Sequence, residues 1–485
     1  MTLQDLLQNT LAIQPLVLLV LWATLLILVD LFIPRQYKVA TVLLTALGLI
    51  VALIAALNQF GQRQVVFNGM IVVDGFAHFL QVIFLGSGLV TIALSYKYLK
   101  RLEIDRSEYY ILMMYSIAGM MLMSMTADLI VVFLALELLS IPLYVLAGFA
   151  RPQLESEEAA LKYFLLGAFA GGFVVYGVAL VFGATGTTAL AGVVDAINSG
   201  SANLALLTVG AALILVGLGF KVAVVPFHMW TPDVYDGSPS AVTAFMSVGA
   251  KAGGFAALLR IFISAFPTLA MDLTPVLWAL AALTMILGNV VAIVQRNIKR
   301  LLAYSSIAQA GYILMAIVPY GQGNVSPDAV AAALFYLLGY AVTSFGAWAV
   351  VITMEKAERM GLELEDYAGL ARKYPLLAAA MAVFMLSFTG VPPTLGFVGK
   401  FYLFRTVIEG GFIGLALIGV LTSLVSAYYY LRVVVIMYMR DGEPKVISEP
   451  LVNLTAGAAA LATVVLSVFA APLFAWVSQA ALHLF

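Results

Sequence analysis

One stretch of the chain decides the fold: Gly219-Phe220-Lys221-Val222-Ala223-Val224-Val225-Pro226-Phe227-His228. It ends an apolar run long enough to cross a bilayer, which takes about 20 helical residues. The proline removes a backbone donor and clashes with the preceding turn, so a helix breaks there. Freed carbonyls at membrane depth persist only where they face protein or a water-filled cavity. The stretch therefore predicts a discontinuous spanning helix with a lysine beside the break.

A second interruption of the same kind occurs later, in Phe388-Thr389-Gly390-Val391-Pro392-Pro393-Thr394-Leu395-Gly396-Phe397-Val398-Gly399-Lys400. Here too prolines divide an apolar run, and a lysine follows the break. A lysine at the bilayer centre costs roughly 2.5–3.5 kcal/mol on insertion scales. The repeated pairing of a broken helix with a lysine therefore indicates a functional site at membrane depth.

The composition places the whole chain in the membrane. Its 485 residues are 63% hydrophobic and only 10% charged, with a mean hydropathy of +1.06. A soluble chain of this length needs more charge on its surface. We predict an all-α polytopic membrane protein, one membrane domain over residues 1–485, with about fourteen spans. Their expected positions are 12–33, 39–58, 76–96, 109–126, 129–150, 158–183, 204–229, 240–266, 273–295, 299–320, 327–354, 375–407, 411–439 and 452–480.

Basic residues in the connections predict the orientation. Sixteen lysines and arginines fall in the odd-numbered loops, whereas the even-numbered loops hold only Arg63. Because basic loops stay in the cytoplasm, both termini are expected outside, in a bacterial cell membrane. Three arginines within the spans, Arg260, Arg405 and Arg432, lie near span ends and are expected to snorkel to the interface.

The two broken spans are the seventh and the twelfth. A repeat of five spans inverts its second copy, because an odd number of crossings reverses direction. We therefore expect inverted repeats at 109–266 and 273–440, preceded by three spans in 1–100 and followed by a C-terminal span in 452–485.

A carboxylate and a lysine lie on neighbouring spans. Glu137 is near the middle of the fifth span, and Lys162 begins the sixth. The functional interpretation is a proton-accepting carboxylate paired with Lys162; the alternative is an ion pair that holds the two spans together. Lys162 is also close enough to the cytoplasmic end to snorkel.

Three lysines are deeper: Lys221, Lys251 and Lys400. Small residues surround Lys251 in Ser247-Val248-Gly249-Ala250-Lys251-Ala252-Gly253-Gly254, which allows close helix packing or entry of water. A desolvated lysine exchanges its proton more readily near neutral pH. We interpret these lysines as a proton relay, with a purely structural role as the alternative.

Other polar residues are candidates for the same path. His228 follows Pro226 and titrates in the physiological range, so it either links the lysines to the cytoplasm or closes the helix end. Tyr304 lines a polar path with its neighbouring serines or belongs to a packing face. Asp233 and Asp236 are expected to cap the eighth span.

Several classes of function are excluded. The chain has no cysteine and three scattered histidines, which predicts no metal, iron–sulfur cluster or other cofactor in this chain. No glycine-rich nucleotide-binding pattern appears between a strand and a helix. A net charge of −1 argues against nucleic acid as a partner, and leaves the lipid bilayer as the expected environment.

Four motifs carry a resemblance to a known family. They are Pro226-Phe227-His228-Met229-Trp230-Thr231-Pro232-Asp233-Val234-Tyr235, Ala241-Val242-Thr243-Ala244-Phe245-Met246-Ser247, Asn297-Ile298-Lys299-Arg300-Leu301-Leu302-Ala303-Tyr304-Ser305-Ser306-Ile307-Ala308-Gln309-Ala310-Gly311-Tyr312 and Leu386-Ser387-Phe388-Thr389-Gly390-Val391-Pro392-Pro393. The sequence resembles the antiporter-like membrane subunits of proton-translocating NADH:quinone oxidoreductase, respiratory complex I, and subunit N in particular. The sibling subunit M has a glutamate where this chain has Lys400.

The resemblance implies specific roles. Glu137 and Lys162 would form a controlling pair, Lys221 a protonation site, Lys251 the central link and Lys400 the far-side site. It also implies partners, namely antiporter-like subunit M and the small subunits K and J, and a complex whose other subunits hold NADH, FMN, iron–sulfur clusters and quinone. A subunit of a multi-subunit cation/proton antiporter shares the broken-helix lysines and is the competing interpretation.

Overall fold

The computed structural model describes residues 3–266, 269–320, 326–356 and 359–482. The chain begins with three helical spans and one short hairpin. A sharp bend of 89° separates the first two helices, and the two hairpin strands pair antiparallel with Val65 opposite Val72. These elements are α1 (Leu3–Ala12), α2 (Gln14–Asp30), α3 (Val39–Asn58), β1 (Gln64–Val66), β2 (Ile71–Val73) and α4 (Gly75–Arg101).

The next five predicted spans form the first half of the bundle. Helix α7 is the longest, and one span is divided by a short π-helical turn, Met246–Ala250. The elements are α5 (Glu108–Met125), α6 (Leu129–Ala147), α7 (Leu154–Thr185), α8 (Leu190–Asn198), α9 (Leu204–Val222), α10 (Trp230–Gly237), α11 (Ser240–Phe245) and α12 (Lys251–Ala265).

The remaining elements form the second half and the C-terminal span. They are α13 (Ala270–Ile293), α14 (Ile298–Met315), α15 (Ser326–Met354), α16 (Leu370–Lys373), α17 (Pro375–Thr389), α18 (Leu395–Glu409), α19 (Ile413–Met439), α20 (Pro450–Val468) and α21 (Ala470–Leu482), with short 3₁₀ turns at Arg35–Tyr37 and Leu364–Tyr367.

The prediction of an all-α polytopic membrane protein is confirmed. Ten helices of the described part of the chain are long and apolar enough to cross a membrane, or eleven if α1 and α2 count as one bent span. The other three predicted spans coincide with α5, with α14 and with the divided pair α17–α18. All fourteen expected stretches are therefore helical, although length and composition alone qualify fewer of them.

Both predicted helix breaks are present. Helix α9 ends at Val222, and Ala223 adopts a left-handed backbone with φ 63°. Helix α17 ends at Thr389, and Gly390 takes φ 89°. A left-handed residue ends a helix and lets the chain turn away. Each break therefore leaves a short non-helical segment inside the bundle, followed by a new helix.

The two sets of five spans share one packing scheme. Helix α5 packs on α6 as α13 packs on α14, and α7 packs on α9 as α15 packs on α17 and α18. Helix α12 contacts α5 and α9, as α19 contacts α13 and α17. The segment Ser240–Ala265 is enclosed by protein along its whole most apolar window, which places α11 and α12 at the centre of the molecule.

The expectation that Arg260 snorkels is wrong. Its side chain is only 5% exposed, and its guanidinium binds both oxygens of Asp74 at 2.8 and 2.9 Å. Arg260 also donates to the Ser124 carbonyl, and Asp74 caps α4 by accepting from Ala77 N. A buried, bidentate pair satisfies a charge that could not reach the interface. Arg260 therefore ties α12 to the start of α4.

The other two arginines behave differently from each other. Arg405 is half-exposed and pairs with Glu409 one turn along α18, as a snorkelling side chain does. Arg432 donates to the backbone carbonyls of Ile293 and Gln295 at the end of α13. Its guanidinium therefore provides donors for the last carbonyls of that helix, a role that the sequence did not predict.

We predict that Arg260→Met lowers the stability of the protein by about 3–5 kcal/mol, because Asp74 keeps a buried charge without its partner. The measurement is the thermal unfolding midpoint of the purified protein in detergent. Arg405→Met serves as the matched control, since an exposed pair contributes only about 0–1 kcal/mol. Equal midpoints for the two variants would contradict the prediction.

Candidate functional site

Lys221 is buried in the last turn of α9, at 4% exposure. Its ammonium donates to Ser140 Oγ at 2.8 Å and to Tyr163 Oη at 3.0 Å. The Tyr163 ring also lies 5.2 Å from the ammonium, within cation–π range. Among the residues that the structure describes, the first-repeat lysine is therefore held by neutral hydroxyl groups of α6 and α7 and by no bonded carboxylate.

Trp230 bonds to the backbone at the helix break that follows Lys221. Its indole N–H donates to the Phe220 carbonyl at 2.9 Å, which also accepts from Ala223 N at the end of α9. The Trp230 ring stacks on Tyr163 at 4.5 Å, and Val225 N donates to Thr284 Oγ1 of α13. The groups around the break are therefore bonded by the first side chain of α10 and by Thr284, from the second half of the bundle.

Glu137 is half-buried on α6, and Lys221 is the cation within its electrostatic range. A Cβ at position 171 would lie 3.0 Å from Glu137 Oε1, so Gly171 of α7 leaves the space that the carboxylate uses. Other members of the same α6 face, Ile130, Leu134 and Ile141, are exposed. The carboxylate therefore lies between Lys221 and the outer surface of the bundle.

The predicted pairing of Lys162 with Glu137 is wrong. The Lys162 ammonium lies 2.6 Å from Asp233 and 2.7 Å from Glu158, and its side chain is 40% exposed. Lys162 sits in the second to third turn of α7, near the start of that helix, where a long side chain reaches the polar surface. Of the two readings left open for its position, the structure places it at the surface.

Asp233 and Asp236 do not cap the eighth span, whose helix α11 has Pro239 at its N-cap and no side-chain cap bond. Asp233 binds Lys162 and Arg300, and Asp236 binds Arg359 at 2.5 Å. Burial opposes ionisation of Asp233, but hydrogen bonds from Lys162 and Arg300 hold its pKa below the ordinary value. The carboxylate therefore stays charged at neutral pH, and its ion pairs are lost only as pH falls through that lowered pKa.

Lys251 occupies the first position of α12, directly after the π-helical turn, and is 2% exposed. Its ammonium donates to the Ser306 carbonyl of α14 at 2.5 Å. Gly249 and Gly253 pack against Met120, and Gly254 packs against the stem of Lys221. Of the two predicted alternatives, close packing or entry of water, the small residues serve close packing, and they bring the helix of Lys251 against Lys221.

Lys400 lies on α18 and is 3% exposed. Its ammonium donates to the carbonyls of Phe388 and Thr389, at 2.9 and 3.1 Å, and to Ser423 Oγ at 2.8 Å. These two carbonyls are orphan acceptors at the end of α17. Gly390 has a left-handed backbone, and the Lys400 stem lies 3.0 Å from where its Cβ would be. Lys400 thus donates hydrogen bonds to the backbone carbonyls exposed by the break in its own span.

Neutral polar groups lie between Lys251 and Lys400. Ser305, next to the Lys251 acceptor, contacts Tyr430 Oη at 2.5 Å. Gln309 Nε2 donates to Tyr430 Oη and to the Phe388 carbonyl that Lys400 also binds. Among the described residues, no carboxylate forms an ion pair with Lys221, Lys251 or Lys400.

The two further candidates lie beside this array. His228 is half-buried with its ring near the Pro226 carbonyl, and its backbone carbonyl accepts from Thr231 N. Tyr304 is half-buried within electrostatic range of Arg300. Its neighbours Ser305 and Ser306 contact the network instead. A role for either residue in a proton path stays a prediction.

Sequence reasoning missed the neutral members of the site, which are Ser140, Tyr163, Trp230, Gln309 and Tyr430. Their signal is weak, because hydroxyl, aromatic and amide side chains also occur in ordinary helix packing. Ser140 alone offered a clue, lying three residues after Glu137 on the same helix. Within the described ranges, no group of three histidine, aspartate or glutamate side chains is placed to hold a metal ion.

Comparison with known proteins places this geometry in a class. Residues 126–426 match the profile of the family described as NADH:quinone oxidoreductase/Mrp antiporter, transmembrane. Subunit N of NADH-quinone oxidoreductase from Chloroflexus aggregans is 48% identical over 472 residues, covering 96% of each chain. A chain of respiratory complex I from Thermus thermophilus superposes with TM-score 0.81 at 37% identity, covering 95% of this chain and 98% of that one.

A chain of the Mrp complex from Dietzia has the same fold. Its TM-score is 0.86 at 22% identity, over 99% of this chain and 97% of that one. The protein is therefore an antiporter-like, multi-pass membrane protein. Within that class it belongs to the subunit N family of NADH-quinone oxidoreductase, as the identity over nearly its full length shows.

We predict that Trp230→Phe lowers the thermal midpoint of the protein, because the aromatic stacking on Tyr163 survives while the Phe220 carbonyl keeps only Ala223 N as a donor. The lost hydrogen bond contributes about 0.5–1.5 kcal/mol to stability. The control is Trp476→Phe, since the Trp476 ring packs on Phe60 and Phe79 and its N–H donates to no described residue. An equal fall in the thermal midpoint of both variants would contradict the prediction, because it would attribute the loss of stability to the smaller ring alone.

Proposed function

We propose that this chain is a proton-translocating subunit in the membrane arm of NADH:quinone oxidoreductase, respiratory complex I. The observation that carries the proposal is the array of Glu137, Lys221, Lys251 and Lys400, which lie on four different spans in both halves of the bundle. Electron transfer from NADH to quinone takes place in other subunits, through FMN and iron–sulfur clusters. The absence of cysteine from this chain fits that division.

Glu137 controls the first step in this proposal. Because Lys162 is occupied by Asp233 and Glu158 at the surface, the carboxylate acts on Lys221 directly. A change of charge outside the bundle, near Glu137, changes the stability of the protonated form of Lys221. Lys162, with Asp233 and Arg300, instead fixes the cytoplasmic ends of α7, α10 and α14 relative to one another.

The proton then moves along the array. Lys221 lies against the helix of Lys251, and the groups between Lys251 and Lys400 continue through α14 and α19. Lys400 is the last ammonium before the outer side. Moving one charge against 100 mV requires about 2.3 kcal/mol, which equals the effect of a change of about two pKa units at one group.

The outer face of α6 is the proposed contact with a neighbouring subunit. A carboxylate at membrane depth that faced only lipid would be costly. Glu137 lies in an exposed stripe with Ile130, Leu134, Ile141 and Val145. A protein surface with a polar group opposite Glu137 removes that cost. By resemblance, the neighbours are the small subunits K and J and, elsewhere, the antiporter-like subunit M.

The proposal includes the arrangement of the repeats and the orientation of the chain in the membrane. The matched packing of α5 to α12 and α13 to α19 supports inverted repeats at 109–266 and 273–440. The excess of lysine and arginine in the odd-numbered loops supports a bacterial cell membrane with both termini outside. The alternative, a subunit of a cation/proton antiporter, has the fold of the Mrp chain in its favour, but subunit N proteins match this chain at 48% and 47% identity over 96% and 90% of its length.

We predict that Lys251→Met strongly reduces the protons moved per electron, because the neutral thioether cannot bind a proton. The measurement uses the purified complex in proteoliposomes, with NADH oxidation and internal pH followed together. Lys97→Met, which removes an exposed lysine near the end of α4, is the matched control and should pump normally. An unchanged number of protons moved per electron in Lys251→Met would rule out the proposed relay. Proton movement that depends on sodium and occurs without NADH would favour the antiporter.

A further inference from the structure

Gln309 is a buried amide midway between two of the lysines. It is 1% exposed on α14, one turn after Ser305. Its Nε2 donates to the Phe388 carbonyl at 3.3 Å and to Tyr430 Oη at 3.2 Å, and its Oε1 accepts from Tyr336 Oη. Because the Phe388 carbonyl only accepts, the assignment of nitrogen and oxygen in this amide is fixed by its partners.

The two acceptors of Gln309 belong to opposite sides of the array. Tyr430 contacts Ser305, whose neighbour Ser306 offers the carbonyl that holds Lys251. The Phe388 carbonyl holds the Lys400 ammonium. Gln309 therefore bonds at once to Tyr430, on the side of Lys251, and to the carbonyl that holds Lys400.

The direction of these hydrogen bonds decides what the chain can conduct. A hydroxyl donates with its proton and accepts with its lone pairs, so a row of hydroxyls can pass a proton along. The nitrogen of a primary amide only donates. At Gln309 both bonds point away from the nitrogen, toward Tyr430 and toward Phe388. The hydrogen-bond chain reverses there, and no proton arriving at Tyr430 finds an acceptor on Gln309 Nε2.

We propose that Gln309 is a barrier that separates the protons of Lys251 from those of Lys400 until its side chain moves. This inference rests on the proposed function. In the transfer it controls, the Lys251 ammonium becomes a neutral amine and the neutral amine of Lys400 becomes an ammonium. While Gln309 keeps its three bonds, the two lysines exchange no proton, and the gradient across the membrane cannot run back through this subunit.

The test compares variants of the intact complex in proteoliposomes. Gln309→Glu places a group of nearly equal shape that can both accept and donate a proton, so the passive proton leak without NADH should rise several-fold. Gln309→Leu cannot carry a proton and should show no leak. Gln81→Glu is the matched control, because Gln81 is equally buried, on α4, and bonds to Met125 Sδ away from the lysines.

A leak in Gln309→Glu that is absent from Gln81→Glu, and that Lys251→Met suppresses in the double variant, supports the barrier. No leak in Gln309→Glu, or an equal leak in both carboxyl variants, overturns it. If the complex does not assemble with Gln309→Glu, Gln309→Ser replaces it in the test. The small hydroxyl leaves space for a water molecule, and the same proton leak is expected. Unchanged pumping in Lys251→Met alone defeats the proposed function, whereas reduced pumping there without a Gln309→Glu leak defeats only the barrier.

Discussion

The structure depends on holding three ammonium groups inside an apolar bundle, with no carboxylate of the described residues bonded to any of them. Removing an ion from water costs several kcal/mol even after the protein relaxes, about the size of a domain's whole stability. Lys221, Lys251 and Lys400 recover part of that cost from hydroxyls and backbone carbonyls. Such partners favour the ammonium without fixing it, because they are also satisfied beside a neutral amine. A bonded carboxylate would instead hold the proton in place.

The two broken helices solve one problem in different ways. In α9, the Phe220 carbonyl accepts from the Trp230 indole and from Ala223 N, and Lys221 bonds to hydroxyls of neighbouring helices. In α17, the freed carbonyls receive Lys400 itself. The backbone of the second break is therefore a ligand of its lysine, and that of the first is not. Protonation of Lys400 is coupled to the geometry of its helix end, whereas protonation of Lys221 is coupled to the charge at Glu137.

Much of this fold was predictable from the sequence, since apolar length locates spans and proline locates breaks. The lysines Lys221, Lys251 and Lys400 were predictable because charge in an apolar run is rare. Their partners were not. The contact of Lys162 with Asp233 joins residues 71 positions apart, and spacing along adjacent helices favoured Glu137 instead. Arg260 lay near a span end by count, but only the folded chain brings Asp74 to it. Gln309 was hidden because an amide among apolar residues has no distinctive period.

The π-helical turn at Met246–Ala250 has a consequence for how the position of Lys251 is specified. A π turn contains one residue more than an α-helical turn over the same path, and each helical residue advances the direction of its side chain by about 100°. Lys251 faces Ser306 only because that extra residue is present. The number of residues before the lysine thus matters as much as the lysine itself. In evolutionary terms, a single-codon deletion in this short segment would aim an intact lysine at the wrong helix.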